Sequence, residues 1–244
     1  MLALLSMGSV FAQDFTVPDA RVVTARKGVL QVKLTSETTY RDLQFDLALP
    51  TGISLVTEAA SPESPDVTNV KAGAEGHVIA YNAVEGGKVR FAVYDPTEGK
   101  TFTQNVLIEI PVQASEAFTA DAQAIVSGMV ASSNDVAATS NSMSGFNFNI
   151  KVNLLGDVNE DDKVNVTDVL TTAEYVLVNE DLSKVTDMKN LGAADVDGGN
   201  VINVTDVVGI ADIAMEFVGD TPASGAKPAF KETSVAIEDT LDPQ

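Results

Sequence analysis

The chain has 244 residues, of which 45% are apolar, so it is long enough for one or two domains with a packed core. Its formal net charge is −20, which disfavours nucleic acids and anionic membranes as partners, because both require a positive protein surface. Cysteine is absent, which excludes disulfides, thiolate metal sites and cysteine nucleophiles. Such an acidic chain suits divalent cations if its carboxylates are spaced as ligands.

Residues 1–13 resemble the apolar region of a secretory signal peptide. Val10 and Ala12 are the small or apolar residues at which a signal peptidase would cut. The segment is too short to span a bilayer, and it lacks a preceding basic region, which suggests a truncated or misplaced start. We expect an exported protein that is extracellular or bound to the cell surface; the alternative is a buried first strand.

Residues 14–151 contain short segments in which apolar and polar residues alternate, as in half-buried strands. These segments are 29–34, 43–49, 88–94, 106–112 and 146–150. Turn residues separate them, and no convincing helix intervenes, so the pattern predicts an all-β jelly-roll sandwich. Pro111 lies within one segment and predicts an edge strand or a bulge there.

After Gly156 the pattern changes to Asp-rich segments followed by helical periodicity, which predicts a small all-α domain. The periodicity predicts one buried face on each helix. The first face comprises Val166, Val169, Leu170, Ala173 and Leu177, and the second comprises Val204, Val207, Val208, Ala211 and Met215.

The two Asp-rich segments are copies of one sequence. Residues 157–168 and 195–206 align without gaps at a separation of 38 residues. Their endings, VNVTDV from Val164 and INVTDV from Ile202, differ in one residue. This agreement indicates an internal duplication and makes a merely solvated acidic loop a poor explanation.

Calcium takes about six to eight oxygen ligands, and a loop of about twelve residues can supply them from positions 1, 3, 5, 7, 9 and 12. Position 7 contributes its carbonyl, and the carboxylate at position 12 lies in the first turn of the next helix, where negative charge is favoured. The spacing therefore predicts two Ca²⁺ ions. The predicted ligands are Asp157, Asn159, Asp161, the carbonyl of Lys163, Asn165 and Asp168 in the first loop, and Asp195, Asp197, the carbonyl of Val201, Asn203 and Asp206 in the second.

Two positions depart from the usual calcium loop. Position 6, which normally requires glycine, is Asp162 or Asn200; both residue types tolerate the left-handed conformation. Position 5 of the second loop is Gly199, which offers no side-chain oxygen. We therefore expect the second site to be the weaker one.

Two calcium loops, each followed by a helix but lacking an entering helix, resemble the type I dockerin domain over about residues 155–218. Strand-like residues 146–150 stand where an ordinary EF-hand would have its first helix. The resemblance implies antiparallel helices and a cohesin-type partner that contacts loop positions 10 and 11, which are Val166, Thr167, Val204 and Thr205. Because both copies have Val-Thr, it also implies two docking orientations related by a half-turn. Helix capping by Thr and core packing by Val are the alternative.

The β region resembles a cohesin-type sandwich and related carbohydrate-binding modules at residues 40–55 and 87–94. The expected domains are the sandwich at 14–151 and a dockerin at 152–219. A linker and the first strand of a truncated module, or a simple tail, would occupy 220–244.

Catalytic patterns are missing from the sequence. His77 is the only histidine, and no nucleophile motif accompanies it, so we expect no enzymatic activity. Sugar sites usually stack rings on aromatic side chains, but Trp is absent, and Tyr40, Tyr81 and Tyr94 suit the core or a sheet face. The predicted function is a non-catalytic assembly protein that docks to a cohesin-type partner in another chain, in a second copy of itself or in its own sandwich. The alternative is a carbohydrate-binding protein whose sandwich binds polysaccharide and whose dockerin tethers it.

Overall fold

The computed structural model describes residues 14–56, 69–97, 99–133, 140–178 and 180–216. The predicted signal segment at 1–13 and the predicted linker and tail at 220–244 lie outside these residues. Within them, two packed β-sheets precede a small helical region. The predicted fold class, an all-β sandwich followed by a small all-α domain, is confirmed.

The strands of the described chain are short to medium in length. They are β1 (Phe15–Thr16), β2 (Ala20–Val23), β3 (Lys27–Leu34), β4 (Tyr40–Ala48), β5 (Ile53–Leu55), β6 (Asn69–Val70), β7 (Val78–Val84), β8 (Lys88–Tyr94), β9 (Val106–Ala114), β10 (Ala122–Ser133), β11 (Ser140–Ser142) and β12 (Phe146–Asn153). One sheet has the order β1-β3-β9-β5, with β6 also paired to β9. The other has the order β2-β12-β10-β4-β8-β7, with β11 paired to β10.

The sandwich core lies between the two sheets, because alternating residues of each strand point inward. Leu30, Val32 and Leu34 of β3 are all buried, as the alternation predicts. The rings of Phe45 and Phe91 stack within the core with centroids 5.3 Å apart. Burial of these apolar side chains is the main source of the sandwich's stability.

Each of the five predicted strand segments falls in a strand of the structure, although β4 ends one residue earlier than predicted. Strand β12 continues to Asn153, two residues past the predicted end of the sandwich. The sequence analysis missed β10 altogether. Its alternation is interrupted at Gly128, where the backbone has a positive φ of 57° and the pairing with β4 shifts register.

The prediction that Pro111 marks an edge strand or a bulge is wrong. Strand β9 is interior, with β3 on one side and β5 and β6 on the other, and its register shift lies elsewhere. The carbonyl of Pro111 accepts a hydrogen bond from Val56 N at 3.1 Å, so its N, which carries no hydrogen, faces the same side. Pairing to β5 stops at Val112, and pairing to β6 starts at Glu109. Proline is tolerated at this gap because the ladder requires no donor there.

The helical region contains α1 (Val166–Leu177), α2 (Leu191–Ala194) and α3 (Val204–Glu216). Short 3₁₀ turns lie at Ala72–Ala74 in the sandwich and at Leu182–Lys184 between α1 and α2. Helices α1 and α3 pack against each other. Their shared core is small and includes one residue of the sandwich, Val23 at the end of β2.

Candidate calcium sites and the helix surfaces beside them

Each acidic loop leads directly into a helix, and both loops make the same left-handed turns. At position 6, φ is 66° for Asp162 and 61° for Asn200, which confirms the conformation expected there. Position 4 is also left-handed, with φ of 60° for Glu160 and 77° for Gly198. The two loops therefore share their backbone conformation as well as their sequence.

In the first loop, the carboxylate of Asp168 at position 12 accepts hydrogen bonds from the backbone of positions 2 and 9. Its Oδ1 accepts a hydrogen bond from Val158 N at 3.0 Å, and its Oδ2 accepts one from Asn165 N at 2.9 Å. Asn165 in turn caps α1, because its Oδ1 accepts a hydrogen bond from Thr167 N at 2.8 Å. Asp168 thus ties the loop to the first turn of α1.

Asp157, at position 1 of the first loop, is fully buried. Its two carboxylate oxygens accept hydrogen bonds from Asp161 N and Asp162 N, both at 3.0 Å. Desolvation, aided by the charges of Asp168 and Asp161, raises the pKa of Asp157 to about 6. Desolvation likewise raises the pKa of Asp168. A bound divalent cation would offset both effects, since it favours the charged carboxylates.

The second loop repeats this arrangement. Asp206 is fully buried; its Oδ1 accepts a hydrogen bond from Val196 N at 2.9 Å, and its Oδ2 accepts one from Asn203 N at 2.9 Å. Asn203 Oδ1 accepts a hydrogen bond from Thr205 N at 2.8 Å. The carboxylate at position 12 and the amide at position 9 therefore have matching partners in both loops.

Asp195, at position 1 of the second loop, provides an oxygen that the protein leaves unpaired. Its Oδ2 accepts a hydrogen bond from Asn200 N at 3.1 Å, whereas its buried Oδ1 has no hydrogen-bond partner. Carboxylate oxygens of Asp195, Asp197 and Asp206 lie within 4.8 Å of one another. Three converging carboxylates with one orphaned buried oxygen suit a hard divalent cation such as Ca²⁺.

The remaining predicted ligands lie on the loops, with some of their oxygens engaged by the backbone. Asn159 Oδ1 accepts a hydrogen bond from Asp161 N, and Asp161 Oδ1 accepts one from Lys163 N, both at 3.0 Å. The carbonyl of Val201 accepts a hydrogen bond from Asn203 Nδ2 at 3.1 Å. Among the described residues, only the second loop brings three carboxylates together within 4.8 Å.

The weaker affinity of the second site stays a prediction, and Gly199→Asp tests its cause. A carboxylate at position 5 should tighten calcium binding at the second loop by about tenfold, or about 1.4 kcal/mol. The added Cβ would lie 2.8 Å from Asp197 Oδ1, which can shift because it ends a side chain. Calorimetric titration measures both sites, and Gly199→Ala is the matched control. Equal affinities of the two wild-type sites, or no tightening in Gly199→Asp, would contradict this account.

The predicted buried faces of α1 and α3 are wrong for six residues, all of which are exposed in the structure. These residues are Val166, Leu170, Leu177, Val204, Val208 and Met215. The side facing the helical core is instead defined by Asp168 and continues through Thr171, Thr172 and Tyr175. In α3 the corresponding side runs from Asp206 through Ile210 to Ile213. Because the position-12 carboxylate must face its loop, it sets the rotation of each helix, and the side that carries the six exposed residues is turned to solvent.

We call these six residues the apolar stripes, three on each helix. The members of the two stripes are 38 residues apart, so the duplication relates them one to one. The predicted partner-contacting residues Val166 and Val204 belong to them, at 65% and 68% exposure, which excludes core packing for both. Thr167 and Thr205 are exposed beside them. The sequence analysis placed Leu170 and Val208 on buried faces. The two residues occupy equivalent positions of the duplicated sequence, as Val166 and Val204 do, and this equivalence was a usable signal that they share one surface.

His77 has a structural environment. The ring is buried, its Nδ1 lies 3.1 Å from Ala74 O, and its Nε2 lies 3.0 Å from Arg41 O. It also packs against Phe102 with ring centroids 4.5 Å apart. Both nitrogens are thus committed to backbone carbonyls.

The N-terminal domain has structural similarity to cohesins. A cohesin module of a family 33 glycoside hydrolase from Clostridium perfringens is 11% identical, with a TM-score of 0.46, over 57% of this chain and 96% of that one. A non-cellulosomal cohesin from Archaeoglobus fulgidus is 13% identical, with a TM-score of 0.43, over 57% and 91%. A type II cohesin domain from Acetivibrio cellulolyticus is 9% identical, with a TM-score of 0.42, over 56% and 92%. No curated protein matches the chain.

The helical region matches a family model. Residues 155–211 match the model of the dockerin type I domain, a kind of module that is non-catalytic, is known to bind calcium and is typically found in extracellular assemblies. None of the helices in the described residues has the length and apolar character needed to cross a membrane. The duplicated loops, their matched caps and the orphaned carboxylate oxygen all lie within this match, and residues 155–211 are a dockerin type I domain.

Proposed function

We propose that the chain is a non-catalytic extracellular assembly protein whose dockerin binds two Ca²⁺ ions and docks to a cohesin-type partner. Its predicted ligands are those given above for the two loops. The observation that carries the proposal is the buried Asp195 Oδ1, which has no partner within the protein and lies among converging carboxylates. A buried, unpaired carboxylate oxygen is costly unless a cation or water satisfies it.

The equivalence of the two loops supports a second ion at the first loop. Asp157 and Asp168 there are fully buried, and the pKa of each is raised. A positive charge beside these two groups would stabilise their ionised forms. No Lys or Arg donates a hydrogen bond to either carboxylate among the described residues, so Ca²⁺ is the natural counter-charge.

The apolar stripes support docking through the helices. Val166 and Leu170 on α1, and Val204 and Val208 on α3, are each more than half exposed and flank Thr167 and Thr205. Solvent-exposed apolar groups of this kind mark protein interaction sites. Because the duplication makes the two stripes equivalent, either could face the partner, in two orientations related by a half-turn.

The partner is either a cohesin domain of another chain or the sandwich of a second copy of this chain. The carbohydrate-binding alternative has less support. Tyr40 is buried, Tyr81 packs against the sandwich core, and Tyr94 alone of the three is exposed by more than a third. A flat aromatic platform for sugar rings is therefore missing from the described sheet faces.

Calcium-dependent association tests the proposal. The full chain should bind immobilised type I cohesin modules, or dimerise in size-exclusion chromatography with light scattering, in millimolar calcium but not in chelator. The double variant Asp157→Ala with Asp195→Ala should lose this association by more than about a hundredfold, since each change removes a buried ligand. Asp212→Ala, an exposed acid of α3 outside the loops, is the matched control. Association that persists in chelator or in the double variant would refute the proposal.

A further inference from the structure

The dockerin packs against its own sandwich through its calcium loops and α2. The apolar stripes stay exposed to solvent. Arg26, in the turn after β2, reaches the start of the second loop. Its Nε donates a hydrogen bond to Asp195 O at 2.7 Å, and its Nη2 donates one to Val196 O at 3.0 Å. One guanidinium therefore holds the backbone at positions 1 and 2 of that loop, next to the side chain with the orphaned oxygen.

Arg21 of β2 contacts the first loop through the side chain of Asp162. Its guanidinium forms an ion pair with Asp162 at position 6, with Nη2 3.2 Å from Oδ2, and this contact lowers the pKa of Asp162. Asn153, at the end of β12, donates a hydrogen bond from Nδ2 to Asp157 O at 2.8 Å. The sandwich thus contacts the first loop at both position 1 and position 6.

Apolar and backbone contacts complete this interface. Val23 of β2 is buried in the helical core, not in the sandwich core. Asn190 Nδ2 donates hydrogen bonds to Arg21 O and to Glu160 Oε1, both at 3.0 Å. Gly192 of α2 lies so close to β3 that an added Cβ would be 2.2 Å from Lys27 O. Glycine at this position permits an approach that no other residue would allow.

We infer that the sandwich is a structural part of the calcium sites: Arg21 and Arg26 hold both loops in their binding conformation and thereby raise the calcium affinity of the dockerin. This inference rests on the proposed calcium binding. Calcium binding orders the loops, and contacts that favour their binding conformation lower the free-energy cost of that ordering. The hydrogen bonds of Arg26 are charge-assisted and partly buried, which makes them stronger than average.

Two variants separate this positioning effect from charge. A guanidinium near a cation site also repels the cation, so Arg26→Ala alone would mix two opposing effects. Arg26→Lys keeps the positive charge but loses the two-pronged contact with Asp195 O and Val196 O. Gly192→Ala changes no charge, and its only close clash outside the helical region is with Lys27 O, so it forces the interface apart.

Calorimetric titration of the full chain with calcium, starting from chelator-treated protein, tests the inference. Arg26→Lys and Gly192→Ala should each weaken calcium binding by about tenfold, the equivalent of one or two hydrogen bonds. Arg41→Ala, which removes an arginine that pairs with Asp42 on the sandwich, is the control and should bind as the wild type does. The helical signal of circular dichroism at saturating calcium verifies that each variant folds.

The outcomes are distinguishable. A wild-type chain that binds no calcium overturns the proposed function. A wild-type chain that binds calcium, with Arg26→Lys and Gly192→Ala at wild-type affinity, overturns only the inference that the sandwich positions the loops. Weakening in Arg26→Lys and Gly192→Ala, but not in Arg41→Ala, supports it.

Discussion

Removal of calcium with a chelator should unfold the dockerin while the sandwich keeps its β-structure. The helical core is small, and three loop carboxylates, those of Asp157, Asp168 and Asp206, are fully buried beside it. An ion present at about a thousand times its dissociation constant stabilises the folded state by about 4 kcal/mol per site. A domain of this size has little stability to spare without such a contribution.

Circular dichroism in the helical band and differential scanning calorimetry measure this effect. The chelated protein should lose most of its helical signal and one thermal transition, and added calcium should restore both. Asp157→Ala with Asp195→Ala should behave in calcium as the wild type does in chelator, whereas Asp212→Ala should not. A helical signal that is unchanged by chelator would contradict the metal-dependent fold.

Replacing one apolar stripe should leave partner binding nearly intact, whereas replacing both should abolish it. Leu170→Asp disables the stripe on α1, and Val208→Asp disables the equivalent stripe on α3. If the partner can use either stripe, each single variant still binds through the other. The double variant should lose more than about a hundredfold in affinity, because burial of each apolar side chain contributes roughly 1.5–3 kcal/mol and each new carboxylate must be desolvated.

Surface binding of the variants to the partner identified in the association experiment provides the measurement. Leu182→Asp is the control, since Leu182 is an exposed apolar residue outside the stripes, in the 3₁₀ turn that connects α1 to α2. Complete loss of binding in one single variant would mean that only one orientation is used. Full binding by the double variant would show that the stripes are not the docking surface.

The sequence by itself determined the features that depend on local chemistry. Alternation located five strands, because a half-buried strand must place apolar residues on one side. The duplicated spacing located both loops, and position 6 of such a loop predicted the left-handed backbone that Asp162 and Asn200 adopt. The capping residues were not predicted: the alternative named Thr, whereas the side-chain oxygens of Asn165 and Asn203 accept the free backbone N–H groups of Thr167 and Thr205.

Only the tertiary structure decided which side of each helix is buried. Periodicity identifies an apolar side of a helix but cannot tell whether it faces a core or solvent, and here the buried position-12 carboxylates Asp168 and Asp206 turn that side outward. The interior place of Pro111 and the contacts of Arg21 and Arg26 with the loops were equally out of reach. The arginine contacts join residues about 140 to 170 positions apart, and no local preference encodes a pairing of that range. These contacts form only when the folded sandwich brings β2 and the turn after it against the two loops.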